Sequence, residues 1–189
     1  MNQGNVNGKN WIPAECDVSI RPGWFYHKEE DDKVKTPEQL FQLYLKSVGR
    51  GANLLLNVPP DRNGRICEQD SASLMGFMKL RDQSFNTVFV ESNSDSVIIN
   101  FDQPTKTNCI VLTEALNHGQ KVNHFRVHLT ETNNGLVDLK GTTIGNKRII
   151  TFPTLVVSRI SLVIDSYRTA IVPRVSISEC LIPENLIEK

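Results

Sequence analysis

The hydrophobic rhythm of this chain changes once, near residues 82 to 87, and a single kind of secondary structure does not accommodate both rhythms. Ahead of the change lies TPEQLFQLYLKSVGRG, where Leu40, Tyr44 and Val48 recur every four residues, flanked by Phe41 and Leu45. That spacing lays an apolar stripe along one side of a helix. Thr36 suits the N-cap, Pro37 the first helical position and Gln39 the capping-box position, while Gly49 and Gly51 can end the helix in a left-handed conformation. In ANLLLNVPPDRNG, the run Leu54, Leu55, Leu56 and Val58 stops at Pro59 and Pro60, which reads as a strand buried on both faces. A second helix is predicted over residues 69 to 81, with Leu74, Phe77 and Met78 on one face. Strand, helix, strand, helix is a βαβα unit, and crossover helices most simply join parallel strands.

After the change the period is two. FRVHL sets Phe125, Val127 and Leu129 against Arg126 and His128; RISLVI sets Ile160, Leu162 and Ile164 on one face; VIINF does the same with Val97, Ile99 and Phe101. Turn signals stand at NSDS, DQPT, NHGQ, TNNG and IGNK. Seven or eight short strands so spaced predict an antiparallel β-sandwich. The expected organisation is an α/β part over residues 1–82 and an all-β part over residues 83–189.

Twenty-one basic residues balance twenty-one acidic ones, so net charge gives no attraction to nucleic acid or an anionic membrane. The chain shows neither an apolar run near twenty residues nor a signal-peptide pattern, so as written it reads as soluble and without an export address. Cys16, Cys67, Cys109 and Cys180 are widely spaced and form no metal-ligand pair, and the expectation is four buried free thiols.

Chemistry in an α/β barrel or parallel sheet gathers beyond the C-terminal ends of the strands. Two loops fall there, DVSIRPGWFYH and NVPPDRNG. Glu15 has two readings: a general acid whose pKa tryptophan contact would raise, or a buried acid paired with Arg21 or a backbone amide. Asp17 would share its face, roughly 6.6 Å away along a strand. Neighbours on one strand do not flank a sugar, so the two are not a glycosidase pair. Trp11 and Trp24 read as sugar-stacking platforms or as packing. Arg62 is a rim residue, a salt-bridge partner or a substrate contact, and Asn57 a loop-ordering amide. His124 and His128 would lie roughly 13 Å apart on a strand, too far for one metal ion, so a solvated face is expected.

PAECDVSIRPGWFYH, LKSVGRGANLLLNVPPDRNG, GQKVNHFRV and GTTIGNKRIITFP together resemble the α-L-fucosidases of glycoside hydrolase family 29, and most of all the subgroup acting on α1-3 and α1-4 linkages. The resemblance implies a (β/α) TIM-type barrel followed by a galactose-binding-like β-sandwich, with residues 1–82 the last barrel units. It also implies a retaining hydrolase of bacterial origin, exported to the periplasm or beyond, that releases terminal L-fucose from fucosylated oligosaccharides or glycoconjugates without metal or organic cofactor. In that family the nucleophilic aspartate and fucose-binding histidines lie on earlier barrel strands, which have no counterpart here. The resemblance carries over Glu15 as a pocket-wall residue and candidate acid/base, Trp24 as a pocket residue, and Asp17 and Arg21 as motif positions on the substrate side. QSFNTVFVESNSDSVIINF lacks the DGD-x-x-TYW-like passage of many relatives. The expectation is a C-terminal fragment, inactive without the N-terminal barrel portion. The alternative is a carbohydrate-binding or purely structural β-sandwich module. Stacking platforms are scarce there, since Phe101, Phe125, Phe152 and Tyr167 sit mostly at apolar-face positions.

Overall fold

The first helix begins where the capping signals put it. In the computed structural model, which describes residues 8–10, 12–85, 89–92, 94–133, 135–167 and 174–187, α1 spans Pro37–Lys46. Thr36 Oγ1 accepts from Gln39 N at 3.3 Å, and Gln39 Oε1 accepts from Thr36 N at 2.9 Å, so two orphan donors of the first turn are satisfied reciprocally. A 3-10 turn, Val48–Arg50, follows, and Gly51 stops it at φ +83°, a conformation only glycine adopts cheaply.

Strands β1 (Glu15–Ser19) and β2 (Asn53–Asn57) pair in parallel on either side of α1, as the βαβ order requires. The register sets Glu15 opposite Asn53, Asp17 opposite Leu55 and Ser19 opposite Asn57. Helix α2 runs Glu68–Ser84, longer at both ends than its apolar spacing predicts. Its covered side includes Asp70, Ser73 and Ser84 as well as the half-buried Leu74 and Phe77, whereas Met78 is turned outward, 42% exposed. Asp70 and Ser73 bond Arg21 and the Lys35 carbonyl near the helix start, and Phe77 and Leu80 pack against the small core further along. The leucine run also departs from expectation: β2 alternates, with Leu55 49% exposed, because among the described residues this sheet has only two strands.

The second part is one six-stranded antiparallel sheet ordered β3-β8-β4-β7-β5-β6: β3 (Phe89–Ser92), β4 (Ser96–Glu114), β5 (Val122–Glu131), β6 (Leu136–Gly141), β7 (Arg148–Tyr167) and β8 (Val175–Cys180). Instead of many short strands, β4 and β7 run 19 and 20 residues. The DQPT turn signal lies inside β4. There the β4–β7 register skips between Asn100 and Thr105, placing Pro104 in a bulge, and it skips again opposite Pro153. Bulges absorb prolines, which have no N–H for the ladder, so the strands continue. The inner faces of both halves of these strands meet in one core, from Val97 and Ile99 to Ile110 and Leu112, closed by Phe125, Val127, Leu129, Ile160, Leu162 and Ile164. The predicted alternations in FRVHL and RISLVI are those observed.

A smaller core joins the two parts. Phe41 of α1 packs with Ile182, Leu186 and the Cys109–Cys180 disulfide, with Phe77, Leu80 and Phe85 beside them. The disulfide corrects the expectation of four free thiols. Cys109 and Cys180 are directly paired residues of neighbouring strands β4 and β8, with Cα atoms 4.9 Å apart, while Cys16 and Cys67 are free.

Candidate functional site

Glu15, Asp17 and Ser19 share one face of the small sheet with Asn53, Leu55 and Asn57, by the parallel register and the two-residue period. The opposite face, with Cys16, Val18, Leu54 and Leu56, is half-buried. Glu15 and Asp17 are exposed. The buried pairing with Arg21 or a backbone amide is not formed: Asn53 Nδ2 donates to Glu15 Oε2 at 3.1 Å.

Past the end of β1 the chain turns sharply and is pinned from several sides. Ser19 Oγ donates to the Gly23 carbonyl at 2.7 Å. Asn57, at the end of β2, donates from Nδ2 to Ser19 Oγ at 3.1 Å and to the Trp24 carbonyl at 2.9 Å, so it does order the loop. Lys35 Nζ donates to the Ser19 carbonyl at 2.7 Å. This scaffold holds Trp24 and Phe25 outward at 51% and 77% exposure, beyond the C-terminal ends of both strands. Trp11 lies outside the described residues.

Arg21 occupies the opposite situation, 1% exposed behind that loop. Its Nε donates to both Asp70 carboxylate oxygens at 3.1 and 3.0 Å. Nη1 donates to the His27 carbonyl at 3.2 Å, and Nη2 to Asp31 Oδ1 and Cys67 Sγ, each at 2.9 Å. The Tyr26 ring lies 4.7 Å from its Cζ. Burial acts to lower the Arg21 pKa, but the hydrogen bonds to Asp70 and Asp31 outweigh it and raise it. Every guanidinium nitrogen is thus spent on protein, and Arg21 ties the loop after β1 to the start of α2.

The second loop carries its own brace. Asp61 Oδ1 accepts from Asn63 N at 2.8 Å and Arg65 N at 2.9 Å, and Gly64 takes φ +74° to close the turn. The Arg65 amide, then the Asn63 groups, hold the Asp61 carboxyl below its ordinary pKa. Arg62 is exposed at the tip. The pair His124 and His128 lies on β5, His124 Nδ1 within 3.1 Å of Ser166 Oγ and His128 Nδ1 within 2.6 Å of Asp138 Oδ1.

A cleft of about 410 Å³ lies elsewhere, between the end of α2 (Leu80, Gln83, Ser84), Lys106, Thr154 and residues 181 to 184. Asp70 at the start of α2 meets Arg21, and a 17-residue helix spans roughly 25 Å, so this cleft is at the far end from the strand-end loops.

Residues 1–80 match the family model described as Alpha-L-fucosidase. The chain is 33% identical to Alpha-L-fucosidase 1 of Arabidopsis thaliana over 88% of its own length and 40% of that protein's. It thus spans about two fifths of the length of the curated relatives it matches. A solved Bacteroides thetaiotaomicron structure superposes over 95% of this chain and 43% of its own, with a TM-score of 0.88 and 22% identity. A Ruminococcus gnavus fucosidase of glycoside hydrolase family 29, solved in complex with fucose, superposes over 98% of this chain and 44% of its own, with a TM-score of 0.83 and 23% identity.

Proposed function

From its homology to part of the alpha-L-fucosidase family of glycoside hydrolases, we propose that this chain supplies one wall of a fucose pocket in a retaining α-L-fucosidase. Residues 1–82 form the last β/α units of a TIM-type barrel, and residues 83–189 a galactose-binding-like β-sandwich domain. The observation that carries the reading is the face bearing Glu15 and Asp17, exposed on a two-stranded parallel sheet whose strand ends carry the outward Trp24 and Phe25. In a closed barrel that face is the interior, and the strand-end loops are the rim where substrates bind. Glu15 is a pocket-wall residue and candidate acid/base, Trp24 a stacking surface for the sugar, and Asp17 a polar neighbour on the same wall. Arg21 stands behind the wall and serves substrate by holding the loop. The substrate is a fucosylated oligosaccharide or glycoconjugate. Linkage preference for α1-3 or α1-4 bonds follows from the motif resemblance alone.

A retaining mechanism needs two carboxyl groups roughly 5 Å apart on either side of the glycosidic bond, and Glu15 and Asp17 on one strand do not provide them. The nucleophile is therefore assigned to the portion of the relatives outside this chain. The test is release of L-fucose from an aryl α-L-fucoside by the polypeptide with the remaining barrel strands, compared with the 189-residue chain alone. Turnover by the longer protein only is expected. Turnover by this chain alone, or failure of a folded longer protein to hydrolyse any α-fucoside, defeats the reading.

The larger sheet acts as a structural cover rather than as a separate sugar-binding module. The smaller core, in which Phe41 packs on Ile182 and Leu186, favours that role. Calorimetric titration with fucosylated oligosaccharides reports no heat from this domain if the cover role holds. The disulfide supports an oxidising, extracytoplasmic location for the parent enzyme.

A further inference from the structure

The cleft at the far end of α2 takes its walls from both parts of the fold, and those walls are tied to one another. Asn108, buried on β4, donates from Nδ2 to the Ile182 carbonyl at 2.8 Å and accepts at Oδ1 from Ile182 N at 2.8 Å. Its side chain thus pairs with residue 182 as a neighbouring strand would. Beside it, Thr107 Oγ1 donates to the Cys180 carbonyl at 2.9 Å. Asn108 Nδ2 also reaches Thr154 Oγ1 at 3.2 Å, which fixes β7 against the same segment. A cleft formed in advance loses little ordering entropy when a ligand enters.

The lining is amphipathic, and its charges cancel. Leu80, Leu181 and Pro183 supply apolar surface, and Leu181 is exposed. Gln83, Lys106 and Glu184 are exposed polar members of the same lining. An ammonium and an amide N–H donate, while a carboxylate and an amide carbonyl accept, so the set meets both the proton and the lone pairs of a hydroxyl. One cation against one anion offers no net attraction to a charged ligand, and the C-terminal end of a helix disfavours an anion. Ser84 adds an independent sign. It lines the cleft at 3% exposure, and its Oγ has no hydrogen-bond partner among the described residues. A buried hydroxyl without a partner is costly and uncommon, and a bound ligand supplies the missing bond. The volume, about 410 Å³, falls in the ~300–1,000 Å³ range of small-molecule sites.

We propose that this cleft binds one neutral pyranose ring of a glycan, its C–H patches against Leu80, Leu181 and Pro183 and its hydroxyls on Ser84, Gln83, Lys106 and Glu184. The choice of a sugar among neutral polyols rests on the fucosidase reading; the amphipathic, charge-balanced lining does not. The site lies away from the strand-end loops and holds substrate without cleaving it. The larger sheet alone lacks the α2 wall, so its role as a cover and this binding are compatible.

Proton–nitrogen correlation NMR of the 189-residue chain, titrated with L-fucose and with D-galactose, tests the site. Saturable shifts at Gln83, Ser84, Lys106, Thr154 and Leu181 are expected with at least one of the two sugars. D-galacturonate and D-glucosamine, the charged counterparts, should bind no more tightly. Leu181→Asp should abolish the shifts; if circular dichroism shows that variant unfolded, Leu181→Ala replaces it and should weaken binding. Ser84→Ala should weaken binding by about three- to tenfold and leave the melting temperature unchanged or raised, because it removes a hydroxyl without a partner. A lowered melting temperature with unaltered binding makes Ser84 structural and overturns the proposal. So does the absence of saturable shifts with any of the four sugars, tighter binding of either charged one, or binding unaltered in the Leu181 variants. Occupancy of the cleft is read without turnover, so its failure and failure of the aryl fucoside test are separate results.

Discussion

At the residue scale the most consequential side chain is Arg21, whose partners lie 10, 46 and 49 positions away along the chain. Removing one member of a buried, hydrogen-bonded ion pair leaves the other charge uncompensated, at a cost of about 3–5 kcal/mol. Asp31 still offsets part of the Arg21 charge, so Asp70→Ala is expected to destabilise the α/β part by up to that amount in urea unfolding followed by tryptophan fluorescence; a loss under about 1 kcal/mol contradicts the assigned role. Asp61 gives a pH-dependent counterpart. Its folded pKa is lowered, so the unfolded chain binds the proton first as pH falls. The turn's stabilisation is complete above the ordinary aspartate range, about 3.9, and is lost as pH drops through the lower folded value. A carboxyl-carbon NMR titration should find the Asp61 midpoint below that of an unstructured aspartate; a midpoint at or above it refutes the brace. Neither partnership was legible in the sequence. RPGW and PPDRNG announce turns, yet nothing local says that Arg21 turns inward to Asp70 while Trp24 turns outward.

At the element scale the helices and the inner faces of the strands were legible, because capping and periodicity are local. The capping box at Thr36 and Gln39, the parallel β1–β2 pairing, and the buried series Phe125, Val127 and Leu129 needed no long-range information. Strand length and cysteine pairing did need it. DQPT reads as a turn, but a bulge in β4 takes up Pro104 while the partner strand β7 pairs on either side of it, so β4 stays continuous. Cys109 and Cys180, separated by 71 positions, become neighbours only because β8 inserts between β3 and β4. Cross-links that close loops of this length stabilise by about 2–5 kcal/mol. The double variant Cys109→Ala, Cys180→Ala is expected to lose that much in chemical denaturation under oxidising conditions. Stability unchanged from the unsubstituted chain speaks against the bond.

At the scale of the whole molecule, the α/β part depends on its surroundings. A two-stranded sheet is marginal by itself, and here one face shows Leu55 while the strand-end loop shows Phe25 and Trp24. Residues 1–82 expressed alone should self-associate through open strand edges and apolar surface, as read by size-exclusion chromatography with light scattering. A monodisperse, cooperatively folding monomer would defeat both this expectation and the partial-barrel reading. That Glu15 and Asp17 lie on β1 and Trp24 just beyond its end was legible from the strand pattern; the openness of that face was not, since NLLLN resembles a strand covered on both sides.

The small core at the seam has a practical corollary. The segment after β8 passes under α1: Gln42 Nε2 donates to the Leu186 carbonyl, Asn108 Nδ2 donates to the Ile182 carbonyl at 2.8 Å, and both of these hydrophobic side chains are buried. Residues 182 to 186 therefore tie α1 to the larger sheet, and covalent continuity between α2 and β3 is only one of the ties. Produced as two separate polypeptides in the same cell, residues 1–85 and 89–189 should find each other and co-purify, which makes this junction a natural place to split the protein into complementing halves.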